Sequence, residues 1–153
     1  MLWETDWTWG ILTLALCIVF HVTGLVALRR LVIFPLVSSL RAKSAIFSIS
    51  IFSFLAISAV LFHATEAAIW AVMYIRLSVL TDFSQAYLHS LGAFSTYGNS
   101  GYDLNTKWRL LSQIEAMNGI VAFGLTTAFL YSAAHLIHQN SEETEVDFLK
   151  TGK

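Results

Sequence analysis

Three apolar stretches decide what this chain of 153 residues can become: residues 9–28, 45–75 and 110–134 are each long enough to cross a bilayer. A spanning helix takes about 20 mostly apolar residues. The first stretch carries no charged side chain, the second only Glu66 and the third only Glu115. Hydrophobic residues make up 56% of the chain and charged residues 12%, against about 25% charged in an ordinary globular domain. A formal net charge of −1 points to no nucleic acid and no acidic substrate as partner. The lone Cys17 lies inside the first apolar run, which excludes an intrachain disulfide and a cysteine-based metal site. It reads as a small apolar filler.

Glu4 and Asp6 precede the first stretch where a signal peptide would be basic, and the apolar run is longer than a signal core, so it reads as a retained helix. Basic residues set the orientation. Arg29, Arg30, Arg41 and Lys43 cluster between the first two spans and mark that connection as cytoplasmic. The N-terminus and residues 76–109 are then expected outside, although Arg76, Lys107 and Arg109 oppose this, and the C-terminus is expected in the cytoplasm. Trp3, Trp7 and Trp9 fit an outer aromatic belt. Residues 1–44 form an N-terminal helix and its basic connection, and 45–138 form a second module. Residues 139–153 form an acidic tail with Glu142, Glu143, Glu145 and Asp147 beside Lys150 and Lys153, read as solvated rather than as a docking site. The lipid bilayer is the expected partner: a multi-pass protein of the cell membrane, the inner membrane for a bacterial chain.

The outer segment is unusual. Thr81, Asp82 and Ser84 are candidate N-caps for a helix over residues 83–94, too short to span. Gly98, Asn99, Ser100 and Gly101 follow at once. Lipid cannot face such backbone, because its N–H and C=O groups would lack partners. The segment therefore lies outside, is buried in protein, or lines water. A re-entrant half-helix and a plain extracellular loop both satisfy this.

Three blocks carry a resemblance: Glu66-Ala67-Ala68-Ile69-Trp70-Ala71-Val72-Met73-Tyr74, then Trp108-Arg109-Leu110-Leu111 leading to Ile114-Glu115-Ala116-Met117-Asn118-Gly119, then Ala122-Phe123-Gly124-Leu125-Thr126-Thr127-Ala128. With Thr96-x-Gly98 between the first two, residues 10–138 resemble the pore module of the potassium-channel superfamily, and more narrowly its small bacterial pore-only members with an extra N-terminal helix. The resemblance implies an all-α membrane protein with three transmembrane helices plus a re-entrant pore helix and filter loop. It also implies four identical subunits around one axis, a pore-forming function and no enzyme activity. The filter would be Thr96, Tyr97, Gly98, Asn99 and Ser100, with a monovalent cation (K+ or Na+) at Thr96, Tyr97 and Gly98. Ser95, Trp108 and Glu115 would support it, Gly101, Tyr102 and Asp103 would form the outer mouth, and Gly119 and Gly124 would be inner-helix hinges.

The family's filter reads Thr-Val/Leu-Gly-Tyr-Gly-Asp, and this chain departs from it. In an ungapped count Asn99 replaces the tyrosine, Ser100 the second glycine and Gly101 the aspartate; a gapped register instead sets Gly101-Tyr102-Asp103 in the outer half. Filters replace an ion's hydration shell with backbone carbonyls, and glycine adopts the required angles freely. Ser100 would pay about 1–2 kcal/mol for a left-handed conformation. Wider outer sites, lined partly by Asn99 and Ser100, and weak or absent potassium selectivity follow as expectations. Cations remain favoured, because the C-terminal end of each pore helix carries partial negative charge. Asp82 and Asp103 add to that field only if they face the mouth.

Polar groups inside the spans draw attention because lipid makes them costly. Glu115 can bond the filter backbone or pore helix, pair with Arg109, or serve a subunit interface. His63 and Glu66, three apart, share a helical face and can pair, with packing against the first helix the simpler role. Gly119 and Gly124 serve either bending or close packing. His21 and His63 lie at similar depth, roughly 14–18 Å at 1.5 Å per residue, which keeps a haem-binding redox protein as an alternative, although no acid or arginine cluster accompanies the pair. A non-conducting accessory subunit is the other alternative. No nucleophile–base pair, phosphate loop or metal-spaced ligand set is visible, and beyond pore ions no cofactor is expected.

Overall fold

The computed structural model describes the backbone of residues 2–35, 45–98, 104 and 108–151, and the side chains of residues 7–35, 46–98, 104 and 108–139. Among them the chain is helical, with no strand. Helix α1 spans Leu2–Leu28 and widens into a π-helical turn, Arg29–Ile33, closed by the Phe34 N–H on the Arg29 carbonyl. Pro35 follows and has no N–H to continue an α-helical ladder. Helix α2 spans Ala45–Arg76, the short α3 Phe83–Phe94, and α4 Arg109–Thr151. Three helical stretches, Trp7–Ile33, Ile46–Arg76 and Arg109–Gln139, are long and apolar enough to cross a membrane. Polar and aromatic ends carry each helix past the apolar run that the sequence shows, because helix hydrogen bonding does not stop where hydropathy does.

Polarity is inverted relative to a water-soluble protein. On α1, Gly10, Thr13, Cys17 and His21 are buried at helical spacing, whereas Ile11, Leu12, Leu16 and Val19 are exposed. On α2, Glu66 and Tyr74 are buried while Ile57, Val60, Leu61 and Val72 are exposed. Exposed hydroxyls on α2 turn inward on their own helix: Ser50, Ser58 and Thr65 donate to the carbonyls of Ile46, Phe54 and Leu61, each at 2.8 Å. This back-bonding removes the need for water on an apolar outer surface. The three spans therefore fit a multi-pass membrane protein.

The chain groups into two compact units, to both of which the long helices contribute. One contains Met1–Val22 and Leu61–Gly124. Its core joins Cys17, Trp70, Tyr74, Ala86, Phe94, Leu111 and Ile114, and Gly10 admits α4 so closely that a Cβ there would fall 2.6 Å from the Ile114 Cδ1. The other contains Thr23–Val60 and Leu125–Lys153, with Ile33, Ile51, Leu55 and Ala133 buried among Phe47, Phe129 and Leu130.

Two helix ends frame the connection between α2 and α3. Helix α2 closes with Val79 N–H on the Tyr74 carbonyl (2.9 Å), Ser78 N–H on the Ile75 carbonyl (3.0 Å), and Ser78 at φ 55°. That is a Schellman ending with serine where glycine is usual. Helix α3 begins at Asp82, one of the three candidate caps, whose carboxylate accepts from the Gln85 N–H at 2.9 Å. Removing that acceptor in Asp82→Ala should destabilise the fold by about 1 kcal/mol. Ser78→Gly, which relieves a left-handed serine, should raise the melting temperature. Thermal unfolding in detergent, followed by helical circular dichroism, checks both.

Candidate functional site

The short helix ends inside the first unit, with Phe94 only 3% exposed and Ala93 7%. Its C-terminus folds back on itself. Ser95 N–H bonds the Leu91 carbonyl (3.1 Å), Thr96 N–H the Ala93 carbonyl (2.9 Å) and Gly98 N–H the Gly92 carbonyl (3.0 Å), while the Ser95 hydroxyl reaches Gly92 at 3.3 Å. Thr96 at φ 61° and Gly98 at φ 74° both adopt left-handed backbone angles. Glycine takes such angles freely, but for a β-branched threonine they are a genuine outlier, of the kind that clusters at functional sites. Tyr97 is 73% exposed. Asn99, Ser100, Gly101, Tyr102 and Asp103 lie outside the described residues.

Helix α4 seats this short helix. A Cβ on Gly119 would stand 1.8 Å from the Phe94 carbonyl oxygen and 2.8 Å from its carbon, so this position admits only glycine. Of the two roles open to Gly119, the geometry supports close packing, and α4 runs unbroken through it. A Cβ on Gly124 would meet nothing within 4 Å. Trp108, at the start of α4, packs partly against the core.

Glu115 is fully buried. Tyr74 of α2 donates its hydroxyl to Glu115 Oε2 at 2.8 Å. Tyr74 in turn meets His89 of α3 edge-on, 5.3 Å between ring centroids. Ser90 of α3 faces the same carboxyl, without a well-formed hydrogen bond to Oε1. The buried Asn118 amide and Trp70 Nε1 sit against Cys17. A polar layer thus lies beside the short helix α3, where unsatisfied groups cost about 1–3 kcal/mol each.

A second constellation joins α1 to α2. His21 Nδ1 and Glu66 Oε1 share a hydrogen bond of 2.9 Å, both side chains fully buried, and His63 Nδ1 stands 3.4 Å from Glu66 Oε2. Pairing of His63 with Glu66 is thus observed, and α1 meets the pair through His21. The imidazole rings of His21 and His63 stack, 5.1 Å apart and 23° from parallel. One ligand atom from each of His21, His63 and Glu66 falls within 4.8 Å of the others, a metal-capable set that spacing along the chain did not reveal. The one available signal was His63-x-x-Glu66 opposite a histidine of similar depth.

No protein-family model, curated protein or solved structure matches the chain. Two substitutions test the seat. Gly119→Ala should cost about 2–3 kcal/mol or more, since a backbone carbonyl cannot step aside as a side chain can. Gly124→Ala should be neutral or stabilising by up to about 1 kcal/mol. Tyr74→Phe, which strips Glu115 of its donor, should cost about 1–3 kcal/mol. Melting temperatures of the purified variants report all three.

Proposed function

We propose that this chain is the pore-forming subunit of a homotetrameric cation channel in the cell membrane, its outer linker re-entering the bilayer. One observation carries the reading: among three membrane-length helices, a twelve-residue capped helix ends against Gly119 of α4 and passes directly into Thr96 and Gly98 with left-handed backbone. Non-helical backbone at membrane depth is tolerated only where protein or a water-filled cavity surrounds it. The exposed Tyr97 and the exposed Met117, Ile120 and Val121 of α4 give the single chain faces for symmetry mates and for a conduit, of which one subunit supplies a quarter.

In this reading Thr96, Tyr97 and Gly98 hold the inner ion sites and Asn99 and Ser100 the outer ones. The C-terminal end of α3 supplies partial negative charge toward the axis and favours cations. The Tyr74–Glu115 bond and the polar layer around it brace the half-helix from behind. The N-terminus lies outside and the C-terminus in the cytoplasm, as the basic residues after α1 favour. Potassium or sodium ions, weakly distinguished, are the transported species.

The test is flux through liposomes containing the purified protein, compared for potassium, sodium and calcium. Wild type should pass monovalent cations with little preference. Asn99→Tyr combined with Ser100→Gly should raise potassium preference over sodium by at least about tenfold, or about 1.4 kcal/mol. An unchanged preference refutes the filter register, and absence of any wild-type flux replaces the channel with an accessory subunit.

A further inference from the structure

We infer that His21, His63 and Glu66 form a binding site for a divalent transition-metal ion, one per chain, that clamps α1 onto α2. The inference does not depend on conduction, because it concerns side chains of α1 and α2 rather than the filter.

Donor chemistry comes first. Two imidazoles and one carboxylate suit zinc, cobalt, nickel or iron, whereas calcium and magnesium prefer all-oxygen sites. Zinc takes imidazole nitrogens at about 2.0–2.1 Å and carboxylate oxygens at about 2.0–2.2 Å, which sets tetrahedral donor pairs about 3.3 Å apart. His21 Nδ1 to Glu66 Oε1 is 2.9 Å, and His63 Nδ1 to Glu66 Oε2 is 3.4 Å. All three donors already lie within 4.8 Å of one another, so small side-chain rotations bring them around one ion. Three protein ligands leave a fourth position for water or hydroxide.

The surroundings fit as well. His21 and Glu66 are fully buried, and the His63 side chain is only 12% exposed. Aromatic rings wall the cluster. Phe62 stands 6.2 Å from the His21 ring, and Phe94 and Phe123 stand 5.7 and 4.5 Å from the His63 ring. A dry aromatic wall around three convergent ligands limits exchange with solvent and holds the rings in place. An ion here would tie α1 to α2 and, through His63, lean on Phe94 at the end of the half-helix.

The experiment uses the full-length chain, free of any histidine tag, stripped with EDTA in detergent and titrated with Co2+. Saturation at one ion per chain is expected, with visible d–d absorption that disappears on addition of Zn2+, and with a rise in melting temperature that EDTA reverses. His21→Ala and Glu66→Gln should each weaken Co2+ binding at least tenfold. His63→Gln, at the least buried of the three ligands, should do the same and guards against misfolding of the other variants. His135→Ala with His138→Ala should leave the spectrum unchanged. Absence of saturable binding by the wild type overturns the site. So does wild-type binding by a folded His63→Gln protein, or loss of binding only in the His135/His138 variant.

Discussion

Phe94 and Gly119 meet backbone to backbone, and much of the first unit is arranged around that contact. A short helix that ends in a packed interior has carbonyls with no helical partner, and its last turn must be held by something rigid. Here the chain folds back to bond those carbonyls, and α4 presses a glycine against the same end. The seat in turn requires α4 to be braced, which Tyr74 of α2 does through Glu115 one turn before Gly119. Position, hydrogen bonding and helix packing converge on about one turn of α3.

The mixture of buried polar groups and exposed apolar ones is compatible with helices long and apolar enough to cross a membrane. When the outside is hydrocarbon, burying leucine against leucine gains little, and close approach with internal hydrogen bonding holds helices together. Gly10 and Gly119 mark close contacts of this kind, and His21, Glu66, Glu115, Asn118 and Ser90 are buried beside Leu55, Leu111 and Ile114. His21 and Glu66 share a hydrogen bond across 45 residues of sequence, and a buried carboxyl held through Oε1 is a strong constraint on how α1 lies against α2.

Local rules made the helices legible. The apolar runs announced three spans, and Asp82 with the change to glycine and small polar residues after Phe94 bounded the half-helix. Long-range pairings were not legible, because nothing in the spacing of Tyr74 and Glu115, 41 residues apart, indicates that they touch. The same holds for His21. Its depth along α1 could be counted, but its rotation toward Glu66 rather than lipid depends on which face of α1 carries the small residues Gly10, Thr13 and Cys17. Thr96 shows another limit: a β-branched residue in a left-handed conformation contradicts its own preference, and only the structure around it holds it there.

The serines and threonine on the outer side of α2 have one more consequence. Ser50, Ser58 and Thr65 already spend their protons on their own helix, so none of the three is left to donate to a neighbouring helix or lipid headgroup. A partner lying over these three positions can slide past them without breaking a bond that they donate. The buried side of the same helix, fastened through Glu66 and Tyr74, has no such freedom, which makes α2 slippery on one flank and anchored on the other.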